Sequence, residues 1–195
     1  PVMHLDLNAE KYTNPEALSL FLNTQLCQWE ALYGKGIGEE SLSPRFAGVI
    51  QRAEQLNIPC LVVTANEFKE GKACQILLEQ HIDFVVLAGF LLRVPDDILR
   101  HFPNRIINIH PSLLPKFGGK GMYGHHVHEA VLASGETESG ITIHFVDEHY
   151  DEGGIILQAK CPVLPDDTPD SLASRVHQLE YEHYPKVIEE QLMNL

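Results

Sequence analysis

The chain has 195 residues, of which 44% are hydrophobic and 21% charged, with a net charge of −13. That suits one globular domain over residues 1–195, with a core that needs no disulfide or metal to hold it. A protein that grips RNA or DNA phosphates normally carries a basic footprint, so the acidic balance argues against nucleic acid as a partner. The longest apolar run, residues 84–92, is far too short to span a bilayer. Cys27, Cys60, Cys74 and Cys161 are scattered, with no C-x-x-C spacing and no secretory leader. They read as reduced thiols of a cytoplasmic protein.

Along the chain, Val2-Met3-His4-Leu5-Asp6-Leu7 alternates apolar with polar and is expected as a strand. Pro15 opens a helix whose Leu18, Leu22, Leu26, Trp29 and Tyr33 form one apolar stripe, read as core packing. Gly34-Lys35-Gly36-Ile37-Gly38 ends that helix. A phosphate cradle needs a strand before it and a helix start after it, so these glycines are read as a loop. Val49, Ile50 and Ala53 mark a further helix, stopped at Asn57-Ile58-Pro59, and Cys60-Leu61-Val62-Val63 reads as a buried strand. A helix over 72–80 leads into Phe84-Val85-Val86-Leu87-Ala88, an apolar run of the parallel-strand kind. A helix at 95–102 and a strand at 105–109 follow. Strands alternating with helices predict an α/β, doubly wound, mostly parallel, Rossmann-like sheet with ligands at the strands' carboxyl ends. Gly140 to Val146 and Ile155 to Ala159 are expected as a closing hairpin. Thr168 and Pro169 make an N-cap and first turn for a last helix through Leu172, Val176 and Leu179, perturbed at Pro185.

The stretch Asn108-Ile109-His110-Pro111-Ser112-Leu113-Leu114-Pro115 carries the chemistry. Alternation puts Asn108 and His110 on one face of a strand end, with Ile107 and Ile109 on the other. A carboxamide beside an imidazole suits oxyanion stabilisation and proton movement; a capping Asn and a core His are the plainer alternative. His125, His126 and His128 invite a metal reading. Two histidines at i, i+3 lack the further ligands a zinc signature supplies, so no metal is expected. The acidic loop from Asp147 to Gly154 is, by composition alone, a solvated turn.

Taken in order, Leu87-Ala88-Gly89-Phe90, the Asn108 octapeptide, Lys116-Phe117-Gly118-Gly119-Lys120-Gly121-Met122-Tyr123-Gly124, His144-Phe145-Val146, Tyr150-Asp151-Glu152-Gly153 and Glu180…Tyr184-Pro185 resemble the folate-dependent formyltransferases. The resemblance runs over roughly residues 46–190 and is specific as an ordered set. It implies transfer of a formyl group from 10-formyltetrahydrofolate, a co-substrate, to the amine of glycinamide ribonucleotide in purine synthesis. It also implies a one-carbon transferase whose partners are small molecules, with no membrane. Asn108, His110 and Asp151 would be catalytic, His110 as a cation beside Asp151. Phe90, Leu91, Leu92, Arg93 and Val94, with Val146 and Tyr150, would line the folate pocket. Gly89, Pro111 and Glu180 would hold the amine substrate, Glu180 by its sugar. His126 would stand near the catalytic group, with His125 and His128 on the surface.

Residues 1–45 depart from the family pattern. A glycine-rich Ser-Gly-x-Gly-Ser/Thr-Asn loop should hold the substrate phosphate, and at its place stands Asn8-Ala9-Glu10-Lys11-Tyr12-Thr13-Asn14. Without glycine the backbone cannot approach an anion closely, and Glu10 repels it. Two alternatives therefore stand beside the first reading: a formyltransferase acting on another amine, such as a sugar nucleotide, and a folate-binding homologue that no longer catalyses. The missing loop favours the second; the intact Asn108, His110 and Asp151 oppose it.

Overall fold

The structure, a computed structural model, describes residues 61, 63–90 and 92–195. The strand expected at Val2, the helix opened by Pro15, the Gly34–Gly38 loop, the place of the phosphate loop and the helix around Val49 all lie outside the described residues. Of the expected Cys60–Val63 strand, Leu61 and Val63 are described; both have irregular backbone and Leu61 is exposed.

Residues 64–195 belong to one compact unit. Its elements are α1 (Ala65–Lys69), α2 (Lys72–Glu79), β1 (Val85–Leu87), α3 (Asp96–His101), β2 (Ile106–His110), α4 (His125–Ala133), β3 (Glu138–Phe145), β4 (Ile155–Pro162) and α5 (Pro169–Met193). The described strands form a sheet in the order β1-β2-β3-β4. β1 runs parallel to β2, and the hairpin β3–β4 adds two antiparallel pairings, so the sheet is mixed. This is the expected α/β fold with its closing hairpin and C-terminal helix.

Register sorts the side chains. Asn108 pairs with His144, Ile109 with Ile143, and His110 with Thr142. Alternation then sends Ile107, Ile109, Ile141 and Ile143 to one face and Asn108, His110, Thr142 and His144 to the other. On the first face the isoleucines join Val131, Leu172, Val176, Tyr184 and Val187 in the core. Each fully buried isoleucine contributes about 1.5–3 kcal/mol.

α5 is set on that face by its ends. Thr168 caps it, accepting from the Ser171 amide while the Ser171 hydroxyl accepts from the Thr168 amide. Arg175 grips Asp167 with both guanidinium nitrogens, at 2.8 and 2.9 Å, and donates to the Pro162 carbonyl at the end of β4. Further along, the Tyr184 hydroxyl donates to the Leu87 carbonyl at 2.7 Å, tying the helix to the carboxyl end of β1. Pro185 does not stop α5, which continues to Met193.

Candidate active site

The polar face of β2 and β3 is closed from above by the loop after β3. A register shift at Ile143 and His144 bends the hairpin, and the chain then turns back at Gly153. A Cβ on Gly153 would stand 1.8 Å from the Phe145 carbonyl oxygen, so only glycine fits there. Asp151 takes a left-handed conformation, φ +57°, on that turn. Its carboxylate is thereby lowered between two imidazoles. Asp151 Oδ2 lies 3.6 Å from His110 Nδ1, and Oδ1 lies 3.6 Å from His144 Nε2.

Asn108 completes the chain. Its Nδ2 lies 3.4 Å from His144 Nε2. His144 Nδ1 lies 2.8 Å from the Phe145 carbonyl, and since a carbonyl only accepts, that nitrogen carries the proton. In the neutral ring Nε2 is then an acceptor facing the Asn108 amide. The result is a continuous polar line, Asn108–His144–Asp151–His110, inside the protein: His110 and His144 are buried, and the Asp151 side chain is 14% exposed.

Burial decides the charge of His110. It pulls the imidazole below its ordinary range, against the upward pull of Asp151 and of the hydrogen bond to Phe117, while His144 pushes it further down. Burial thus opposes the cation that pairing with Asp151 favours.

A scan of the chain against family models matches the formyl transferase family over residues 39–188. The chain belongs to the formyl transferase family. It is 48% identical over 147 residues to phosphoribosylglycinamide formyltransferase, chloroplastic, of Vigna unguiculata, covering 73% of this chain and 47% of that protein. The Arabidopsis thaliana protein of the same name is 51% identical over 147 residues, covering 72% of this chain and 50% of that one. The chain thus spans about half the length of these plant relatives. Among solved structures, phosphoribosylglycinamide formyltransferase from Streptococcus pneumoniae TIGR4 superposes with a TM-score of 0.67 at 32% identity, over 87% of this chain and 94% of that one.

Within this formyl transferase, the structure brings together the three residues expected to be catalytic and adds His144. The sequence motif His144-Phe145-Val146 was visible, but a histidine inside a strand carries no sign of which face it takes until the register is known. The residues expected around the folate are less concentrated. Phe90 packs tilted on Phe68, with centroids 5.2 Å apart, and Arg93 binds Asp96 at 2.7 Å. Val94 is buried, Leu92, Pro111 and Val146 are half-buried, and Tyr150 and Gly89 are exposed. Leu91 lies outside the described residues. Glu180 stands on α5 one turn before Tyr184, half-buried, and desolvation pushes its carboxyl up to about 7.

The histidines of α4 exchange their expected places. The inward face of this helix is Val127, His128 and Val131, so His128 is buried, with Nδ1 lacking a hydrogen-bond partner. His126 points outward and pairs with Glu129 at 3.3 Å. Among the described residues no group of three or more His, Cys, Asp or Glu is placed to hold a metal ion. No described helix is long and apolar enough to cross a membrane.

Proposed function

We propose that this formyl transferase moves the formyl group of 10-formyltetrahydrofolate to the amine of glycinamide ribonucleotide. The observation that carries the reading is the buried line Asn108–His144–Asp151–His110 at the carboxyl end of β2, in a chain so similar to phosphoribosylglycinamide formyltransferases. The amine attacks the formyl carbon, a tetrahedral oxyanion forms, and the folate nitrogen leaves with the electron pair of the broken C–N bond. The Asn108 carboxamide donates to the oxyanion. Neutral His110 takes the proton shed by the amine and becomes a cation beside Asp151, which stabilises it. The same proton then serves the departing folate nitrogen. His144 acts through Asn108, accepting from its amide at Nε2. Glu180, with its carboxyl near half-protonated at neutral pH, both donates to and accepts from sugar hydroxyls. The segment Phe90, Leu91, Leu92, Arg93 and Val94, with Val146 and Tyr150, holds the folate, and Gly89 and Pro111 border the amine. Transfer between small molecules needs no membrane, and the cytoplasm is the compartment this reading assigns.

The test is steady-state transfer with purified full-length protein, glycinamide ribonucleotide and 10-formyltetrahydrofolate, followed by the absorbance of the deformylated folate. Turnover that requires the ribonucleotide supports the reading. Turnover with a sugar-nucleotide amine in its place, or none with any amine, contradicts it.

A further inference from the structure

The chain leaves β2 at His110 and crosses the β3–β4 hairpin before it meets the site again. The β2–β3 register ends with His110 opposite Thr142, and the next residue, Pro111, has no amide to offer a ladder. Leu113 then lies over Gly140 of β3, where a Cβ would stand 2.9 Å from the leucine Cδ2. Further on, the Phe117 carbonyl lies 2.7 Å from His110 Nε2, and the Gly119 amide donates to Asp151 Oδ2 at 2.8 Å. Residues 111–119 therefore need an anchor of their own, since β2 pairing stops at His110.

That anchor is one hydroxyl. Thr142 is fully buried on β3, and its Oγ1 donates to the Ser112 carbonyl at 2.7 Å. The same oxygen accepts from the Leu114 amide and from Gln158 Nε2, each at 2.9 Å. One donor and two acceptor sites are the whole capacity of a hydroxyl, so Thr142 is saturated. Gln158 pairs with Thr142 in the β3–β4 register, and its Nε2 also donates to the Leu114 carbonyl at 2.9 Å. Ser112, fully buried as well, passes the hold along by donating to the Lys116 carbonyl at 2.9 Å. Away from water, leaving any of these groups unmade costs more than making it gains.

We infer that Thr142 and Gln158 are positioning residues for the transfer: from the hairpin they hold the 111–117 segment, and through it the Phe117–Gly119 turn, against the catalytic groups. Both act on backbone, Thr142 on Ser112 and Leu114, Gln158 on Leu114 and on the Thr142 hydroxyl itself. The demand on position 142 is specific. The group there donates once and accepts twice from a single atom on Cβ, which serine can do and valine, of the same shape as threonine, cannot. Position 158 needs a donor that serves two acceptors at once, and a leucine of similar size offers none. Without these bonds the segment keeps its covalent path, but the Gly119 amide is free to leave Asp151.

This role rests on the transfer reading for its kinetic consequence but not for its structural one, and the test separates the two. Hydrogen exchange on the uniformly 15N-labelled full chain reads the Leu114 and Gly119 amides, with the β2–β3 ladder amides as internal control. In Thr142→Val both should exchange roughly tenfold faster relative to the ladder, and kcat should fall about ten- to a hundredfold, the worth of one or two buried hydrogen bonds. KM for 10-formyltetrahydrofolate should stay within about twofold, since uniform binding is untouched. Thr142→Ser, which restores the hydroxyl, should restore both exchange and kcat. Gln158→Leu should show the same pattern at roughly three- to tenfold in kcat, and it serves if Thr142→Val fails to fold. Combined, the two variants should lose less than the product of their separate losses, because they share one hydroxyl. Folded variants with unaltered kcat and Gly119 exchange overturn the role, as does an equal acceleration of every amide or a loss that Thr142→Ser does not restore. If the unmodified chain formylates no amine, the transfer reading falls while exchange at Gly119 still decides the anchor.

Discussion

Asp151 meets His110 with one carboxylate oxygen and His144 with the other, each at 3.6 Å, which makes it the residue whose loss should do most damage. Asp151→Asn keeps the shape and the acceptor for Gly119 but removes the charge that stabilises a cationic His110. Transfer should fall by about 10²–10⁴-fold with folate affinity retained, as measured by kcat beside equilibrium binding. Near-normal kcat would contradict the assigned role. Asn108→Ala removes the proposed oxyanion donor, and a loss of about 2.7–4 kcal/mol of transition-state stabilisation is expected from kcat. For His144→Ala the expectation is milder, roughly tenfold in kcat, because the hydrogen bond that orients Asn108 is lost while Asn108, Asp151 and His110 remain. Asn108 and His110 were legible in the sequence because strand alternation alone pairs them. His144 was not, since its neighbour across the sheet depends on a register that no local pattern encodes. For His110, sequence shows the partner carboxylate but not the burial that opposes its charge.

At the scale of elements, α5 couples the core to the site. Its Leu172, Val176 and Val187 are buried, while Tyr184 reaches the Leu87 carbonyl and Glu180 lies one turn earlier. Tyr184→Phe should lower unfolding free energy by about 0.5–1.5 kcal/mol in denaturant titrations, the worth of the hydrogen bond to the Leu87 carbonyl. Glu180 makes a pH-dependent prediction. Its folded carboxyl, raised to about 7, binds a proton more tightly than the unfolded one, so its contribution is full below the unfolded value of 4.5 and lost as pH rises through 7. Glu180→Gln, neutral at every pH, should raise Tm relative to the unmodified chain above about pH 7 and leave it alike near pH 4.5. An equal Tm difference at both ends would contradict the burial of that carboxyl. The helices and strands at this scale were largely readable: Thr168-Pro169 announced α5, and the apolar run at Phe84–Ala88 announced β1. The exchange of His126 and His128 was not, because α4 is short and its polar and apolar residues are mixed, leaving several possible inward faces.

For the whole molecule, the buried histidines set the acid limit. His128 is held at about 4, chiefly by burial, with His177, His125 and His110 adding to the effect, and His177 and His110 are themselves held low by burial. A histidine depressed on folding contributes stability that is full above the unfolded value of 6.5 and is lost as pH falls toward the folded one. Stability should therefore decline between about pH 6.5 and 4, and His128→Leu should flatten that decline by up to about 3 kcal/mol in unfolding measured across the range. A slope unchanged in the variant would place the acid sensitivity elsewhere. The family and the α/β architecture follow from an ordered set of motifs dense enough to read in one sequence, whereas the glycine-rich loop expected in residues 1–45 has no match there, where those motifs fade. The most direct measurement of the central claim is a rapid-quench single turnover with 10-formyltetrahydrofolate labelled in the formyl carbon, run with the unmodified chain and with Asp151→Asn. Label passing into the ribonucleotide amine in the unmodified chain, and remaining on the folate in the variant, is the predicted result. Label released as free formate, or transferred equally well by Asp151→Asn, would contradict formyl transfer by this site.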